Sequence, residues 1–499
     1  MDSVRLQSDY GSGKQGWRHR LVPDMLARKL GHPLVLLITL LTCLCFAGFI
    51  TFAGPKYAIL GLVLMLGMLV AAGVVVNPRF GILTMLVAAY LIMWIMRLGV
   101  NFPLGTLMDG LQGLLILGFL LKIRSRRDWY VFKNPISYLI LIWIGYNLLQ
   151  IANPAAESRL AWLYTLRSVA ILMLMYFIFF YHIRSTEFVK QIFKLWILLS
   201  TFAAAYGMYQ EMFGYLPFEQ RWIDSDPLIT DLYFIAGHWR KFSIFSDPVA
   251  FAYNMVMSSI LCFCIATGPV AIWKKIILNL LGAFYIMVML YSGTRGAYVL
   301  LPAAMFMYSI MRFNKKVFVF AMIVAMIMAV LIVIPTGNPT IVRFQSAFKP
   351  AEDASFNLRS QNQKKIQPYI LSHPMGGGLG ATGVWGQRFA PGSYLASFPP
   401  DSGYVRVAVE LGWMGLLIFC ILMFAILRTG IKNYYRIRSP ELKTYCLAIT
   451  LILFVLNIGN YPQEALVQFP SNIYFYLAIA LVNVFPIIDK QLHGGTAAS

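Results

Sequence analysis

Residues 273–335 read WKKIILNLLGAFYIMVMLYSGTRGAYVLLPAAMFMYSIMRFNKKVFVFAMIVAMIMAVLIVIP. Three apolar runs, 273–292, 294–312 and 317–335, are separated by two short polar turns, with Lys274 and Lys275 at the start of the first. Each run approaches the roughly 20 residues that cross about 30 Å of hydrocarbon as an α-helix. The first turn is Ser292-Gly293-Thr294-Arg295 and the second carries Arg312, Lys315 and Lys316. Two membrane helices joined by a tight turn, with a third following, is the reading these residues impose.

The same pattern extends in both directions. Further runs lie at 33–53, 57–76, 79–97, 103–122, 135–152, 161–181, 189–211, 247–267, 403–428, 443–460 and 468–487. The fold class is therefore all-α, a polytopic transmembrane bundle of about fourteen helices. Composition agrees: hydrophobic residues make up 59% of 499 and charged residues 12%, too little charge to cover a soluble surface. The six cysteines all lie in or beside apolar runs, which argues against disulfides and a thiolate metal site. The first 30 residues are polar and basic and no cleavage pattern follows the first apolar run, so a retained helix is expected rather than a signal peptide.

The net charge of +21 could suggest nucleic acid, but no basic stripe is interleaved with stacking aromatics in a polar region. The cations sit in short turns, as topology signals do. With Arg18, Arg20, Arg28 and Lys29 in the cytoplasm, alternation puts every second turn there too. Those turns carry Arg79, Arg124, Arg126, Arg184, Lys190, Lys274, Arg312, Arg428 and Arg438. The expected division is a cytoplasmic tail 1–32, a bundle 33–335 with a periplasmic loop 212–246, a large partly helical periplasmic loop 336–402, helices 403–487 and a cytoplasmic tail 488–499. Such long loops are uncommon unless functional, so chemistry is expected at the periplasmic face.

Four segments there could carry it. Arg295 stands at a helix start, where a guanidinium and free backbone N–H groups suit phosphate, although a snorkelling helix anchor is the plain alternative. Arg240 and Lys241 adjoin aromatics just before a helix, as a headgroup site or as an interfacial belt would. Arg359 precedes an amphipathic stretch and then Ser372-His373-Pro374-Met375-Gly376-Gly377-Gly378-Leu379-Gly380. Those glycines permit positive φ and close approach to a ligand, or a plain flexible turn. Asp401 stands just before a helix and by default caps it. Arg406 and Glu410, four apart, can pair within the bundle. Asp109 and Arg167 fall inside spans, where isolated charges are expected to face the bundle interior.

In this order, the segment 240–248 (Arg-Lys-Phe-Ser-Ile-Phe-Ser-Asp-Pro), the Ser292–Ala297 turn, the Arg359…His-Pro-Met-Gly-Gly-Gly-Leu-Gly loop, and Asp401-Ser-Gly-Tyr followed by Val-Glu-Leu-Gly-Trp-Met-Gly resemble the O-antigen ligase and O-antigen or exopolysaccharide polymerase superfamily. The resemblance covers roughly 235–425 and implies a GT-C-like membrane glycosyltransferase of the bacterial inner membrane, while the alternation of basic turns puts both termini in the cytoplasm. The implied donor is an undecaprenyl-diphosphate-linked oligosaccharide, and the acceptor a sugar hydroxyl on a lipid-linked repeat or on lipid A–core. Membrane lipids and polysaccharide assembly proteins are further partners, and no metal or cofactor is expected. Under it, Arg240 and Arg295 would hold the diphosphate and stabilise it as leaving group. His373, with Arg359, Lys241 and Arg406, would help bind substrate. Asp401 stands where ligases carry a histidine that acts as base, which tilts the expectation from ligase toward polymerase. The alternative of another class is a lipid-linked oligosaccharide transporter, which would depend instead on midplane charges such as Asp109 and Arg167.

Overall fold

A computed structural model describes residues 67–99, 104–126, 129–235, 237–337, 339–348 and 354–494. The chain divides into two units, Met1–Ala72 and Gly73–Ser499. Of the first only 67–72 are described, all helical. The expected span 33–53 thus lies outside the described residues, and 57–76 is seen only in its last part. All that follows concerns the second unit.

The helices are α1 (Pro78–Arg97), α2 (Leu104–Arg126), α3 (Pro135–Leu149), α4 (Arg159–His182), α5 (Thr186–Phe213), α6 (Pro217–Ile223) and α7 (Pro227–Tyr233). A two-residue hairpin, β1 (Phe234–Ile235) and β2 (His238–Trp239), precedes α8 (Pro248–Ala266), α9 (Ile272–Leu290), α10 (Arg295–Met311) and α11 (Lys315–Val333). Then come α12 (Pro339–Ser346), α13 (Ala354–Ser372), α14 (Gly383–Phe389), α15 (Gly403–Arg436), α16 (Pro440–Gly459) and α17 (Ser471–Gly494). Ten helices among the described residues are long and apolar enough to cross a membrane. The chain is an all-α, multi-pass membrane protein.

Every expected span from 79 onward is a helix, though several run past their apolar stretch. α15 continues through Arg428 to Arg436, and α5 begins at Thr186. Lys and Arg are good helix formers, so a helix does not stop where the hydrocarbon does. Starts are set by capping side chains instead: Asn134, Ser158 and Ser185 each accept a backbone N–H from the first turn of the helix they precede. At the centre stand α8, α16 and α17, which are buried along most of their length. Several polar groups in that core pair with one another, which lowers their cost in the membrane interior. Tyr90 OH meets Ser200 Oγ at 2.9 Å, and Ser200 Oγ meets Ser258 Oγ at 2.7 Å. Asn254 Nδ2 donates to Ser471 Oγ at 3.1 Å.

Arg167 departs from the sequence reading. It pairs with Asp109 at 3.4 Å across α4 and α2, but its side chain is 48% exposed on the flank of the bundle. Pairing, rather than burial, is what offsets the cost of that charge.

Candidate functional site

The Ser292–Thr294 turn is built around Gly293, whose φ of +59° is the left-handed region that favours glycine. Thr294 occupies the N-cap position of α10 but does not cap it with its side chain. Its hydroxyl instead donates to Pro248 O at 3.1 Å and accepts from Arg240 Nη2 at 3.2 Å. Arg240 reaches the turn from far away in sequence. Its Nε donates to Ser292 O at 3.0 Å and its Nη1 to Leu232 O at 3.2 Å. Of five guanidinium N–H groups, three are thus committed to holding the side chain in place. The backbone at 240 is fixed as well, with Arg240 N on Tyr233 O and Tyr215 OH on Arg240 O, both at 2.8 Å. Burial pulls the Arg240 guanidinium below the ordinary arginine value, and Asp247 offsets part of that. Arg295, the first residue of α10, is half-buried beside it.

Opposite the turn lies the α16–α17 connection. A Cβ built on Gly296 would sit 3.4 Å from Pro462 Cγ, so the start of α10 runs close to the connection. Arg359 Nη1, from α13, donates to Pro462 O at 3.1 Å. Asp401 stands near: burial raises its pKa, while Arg359 and a hydrogen bond from Asn362 lower it. Asp401 is not the cap of α15, contrary to its default reading. That role falls to Ser402, whose Oγ accepts Val405 N at 3.4 Å. Two adjacent capping residues compete for one position, and the one in register with the helix wins.

Arg406 is held between two carboxylates, Nε on Glu410 at 3.2 Å and Nη1 on Glu464 at 3.0 Å. Glu410 also accepts Gly380 N at 3.0 Å, Thr382 N at 3.3 Å, and the Thr382 hydroxyl. Glu464 uses Oε2 for Arg406, whereas its buried Oε1 has no hydrogen-bond partner among the described residues. Burial raises its pKa, Arg406 pulls it down, and Asp401 raises it further.

The glycine loop packs against a break in α15. Gly412 has φ +70° inside that helix, interrupting its ladder. The carbonyls released are taken by Gly377 N on Val409 O and Gly378 N on Glu410 O, both 2.9 Å, and by Tyr146 OH on Leu411 O at 2.7 Å. A Cβ at Gly412 would meet Pro374 O at 2.0 Å, and one at Gly376 would meet Gly412 N at 2.4 Å. The close approach that the glycines permit is therefore backbone against backbone. His373, at the head of this loop, stacks on Tyr369 with centroids 4.0 Å apart. Its Nδ1 lies 2.9 Å from Ser372 Oγ and 3.0 Å from Tyr369 O.

The fold thus brings together Arg240, Arg295, Arg359 and Asp401 at the loop end of the bundle. His373 makes its contacts in the glycine loop. Lys241 faces inward, with Nζ 3.6 Å from Glu211 and 4.9 Å from the centre of the Tyr215 ring. Burial pulls its ammonium below the ordinary lysine value, and Glu211 opposes this. Three residues escape a reading by sequence. Arg343 of α12 donates Nε to Gly293 O at 3.1 Å. Glu464 sits in a connection short enough to pass for a plain turn. Arg97, at the end of α1, donates Nη1 to Ser243 O at 3.2 Å and also bonds Phe245 O. An acid between two apolar runs was the available signal for Glu464, whereas Arg343 is one of several cations in its loop.

No curated protein matches the chain. A family model described as O-antigen ligase matches residues 280–420, which takes in the Ser292–Arg295 turn, the long loop and the break in α15 but not Arg240 or Glu464. Residues 280–420 are therefore similar to the O-antigen ligase family, which supports a glycan-transfer function of that type.

Proposed function

We propose that this chain is a bacterial cell-surface polysaccharide polymerase. It transfers glycan from an undecaprenyl-diphosphate-linked donor to a sugar hydroxyl at the periplasmic face of the inner membrane, both termini being cytoplasmic. The observation that carries the reading is Arg240 locked onto the turn that starts with Ser292 and delivers Arg295. Two guanidiniums, preset at a helix start, suit a diphosphate leaving group.

In the reaction the acceptor oxygen attacks the anomeric carbon of the donor sugar. A C–O bond forms there as the bond from that carbon to the diphosphate oxygen breaks. The acceptor proton goes to the Asp401 carboxylate, and the electron pair leaves with the diphosphate. Preorganised donors act without reorganising as the charge develops. Burial supports the role of Asp401, because a carboxyl whose pKa is raised toward working pH is a better base. Arg359 places a counter-charge beside it, and the loop 336–402 would shape the acceptor site. The ligase reading keeps the donor site and exchanges the acceptor for lipid A–core, and the matching family is compatible with either.

The test is product analysis in a deletion strain complemented with wild type, Arg295→Ala or Asp401→Asn. The expected result is single lipid-linked repeats in the deletion, polymer with wild type, and failure of both variants at normal expression. Full-length polymer accumulating on the carrier in the deletion would make the protein a ligase. Wild-type product from both variants would remove the site from consideration.

A further inference from the structure

Glycines aside, Ser243 alone among the described residues has positive φ, at +53°. A Cβ makes that region costly, and such a conformation persists only where its surroundings over-determine it. Here the surroundings are two long helices of the bundle. From α5, Gln210 Oε1 accepts Ser243 N at 2.8 Å, and Ala203 O accepts Ser243 Oγ at 2.6 Å. From the end of α1, Arg97 donates Nη1 to Ser243 O at 3.2 Å and Nη2 to Phe245 O. The Arg97 side chain is buried, its guanidinium 4.2 Å from the centre of the Phe242 ring and 4.7 Å from that of Trp222.

Ser243 follows Arg240 by three residues. Between them, Lys241 N donates to Tyr291 O at 3.0 Å and Phe242 is fully buried. With both intervening residues engaged, a change of direction at Ser243 passes to the backbone from which Arg240 reaches Ser292 O. Glycine would take positive φ without strain, so with serine the conformation is imposed by these contacts rather than chosen by the residue. The fork of a guanidinium spans two carbonyls two residues apart. A lysine ammonium, a point charge on a flexible stem, does not hold both.

We propose that Arg97 is a positioning residue of the donor site: by holding Ser243 in its strained conformation, it presets Arg240 for the diphosphate of the lipid-linked donor. The inference rests on the donor reading above and adds to it a residue of α1, 146 positions from the serine it holds. Where a binding-competent conformation is only fractionally populated, apparent affinity falls by that fraction.

The experiment measures binding of undecaprenyl diphosphate to the full-length protein in nanodiscs. Wild type, Arg240→Ala, Arg97→Lys, Ser243→Gly and the double variant Arg97→Lys/Ser243→Gly are compared. Arg97→Lys weakens binding roughly tenfold, the size of one hydrogen bond to a charged group. Ser243→Gly binds as wild type does. In the double variant glycine recovers most of the loss, because the strain that Arg97 restrains is gone. A merely structural role gives no such rescue: a slot between two rings left badly filled stays so whatever stands at 243. Equal losses in Arg97→Lys with and without glycine overturn the proposal, and so does wild-type binding by Arg97→Lys. In either case a loss in Arg240→Ala leaves the donor reading standing. Wild-type binding by Arg240→Ala overturns both. Should Arg97→Lys not purify as a monodisperse protein, Ser243→Ala against Ser243→Gly decides. Both lack the hydroxyl and only alanine keeps the strain, so weaker binding by alanine supports the proposal and equal binding overturns it.

Discussion

Asp401 owes its availability to its neighbour. Ser402 caps α15, so the carboxylate next to it is left to Asn362 and Arg359. Burial is the larger influence and raises its pKa, and the sign of the pH effect follows. Below that raised pKa the carboxyl is protonated and cannot accept the acceptor proton. Transfer should therefore climb with pH through a single acid limb. Initial rates of reconstituted protein should show this limb in wild type. Asp401→Asn should lower the rate about 10²–10⁴-fold, the span of general base catalysis, and erase the limb. A limb that survives in the Asn variant would assign it to Glu464, whose pKa is also raised by burial. Sequence placed Asp401 at a helix start and by default made it the cap, because nothing local shows that Ser402 is the one in register. Arg343 was less legible still, because its partner Gly293 lies 50 residues away and nothing local marks the pairing.

At the scale of the element, α15 shows what an apolar run conceals. Leu411-Gly412-Trp413 opens the long apolar run that follows Glu410, so pattern reading gives the right helix and no interruption. The interruption exists because the glycine loop supplies two N–H donors where the helix has stopped supplying them. Neither half of that exchange can be seen alone. Gly412→Ala forces a side chain into Pro374 O and into positive φ, a conformation that costs roughly 1–2 kcal/mol even without a clash. Displacing the loop would then leave buried carbonyls unpaired at about 1–3 kcal/mol each. We expect Gly412→Ala to lower the thermal midpoint of detergent-solubilised protein by several degrees. Gly392→Ala, where a Cβ would meet open space, should leave it within about a degree. Equal midpoints for the two would show that the break is not under this constraint.

At the scale of the whole molecule, alternation of basic turns placed the loops 212–246 and 336–402 on one face. The hydrogen bonds of Arg240 and Arg343 to one turn bring residues of both loops together in the fold. Periodicity made the bundle legible because each span is a local property of about 20 residues. The small hairpin Phe234–Trp239 and the three helices of the long loop are not, since their apolar faces are short and shared with distant partners. The topology is checked by single cysteines in a cysteine-free background. Those at Arg221 and Gln387, both exposed, should react with an impermeant maleimide in spheroplasts. Those at Lys315 and Arg438, also exposed, should react only after permeabilisation. Labelling of Gln387 and Arg438 from the same side would refute the arrangement.

The break at Gly412 also fixes where this chain can be divided. A loop that looks like an insert between two membrane helices is normally the natural module for exchange among related chains. Here the loop carries donors at Gly377 and Gly378 whose acceptors, Val409 and Glu410, lie past its apparent end. A seam placed at 402 would separate donors from acceptors and join a foreign loop to a helix shaped for another. The module extends through Gly415, with Tyr146 as its socket in the host. Exchange of this loop is thus tied to the first three turns of the following helix, which must travel together with it.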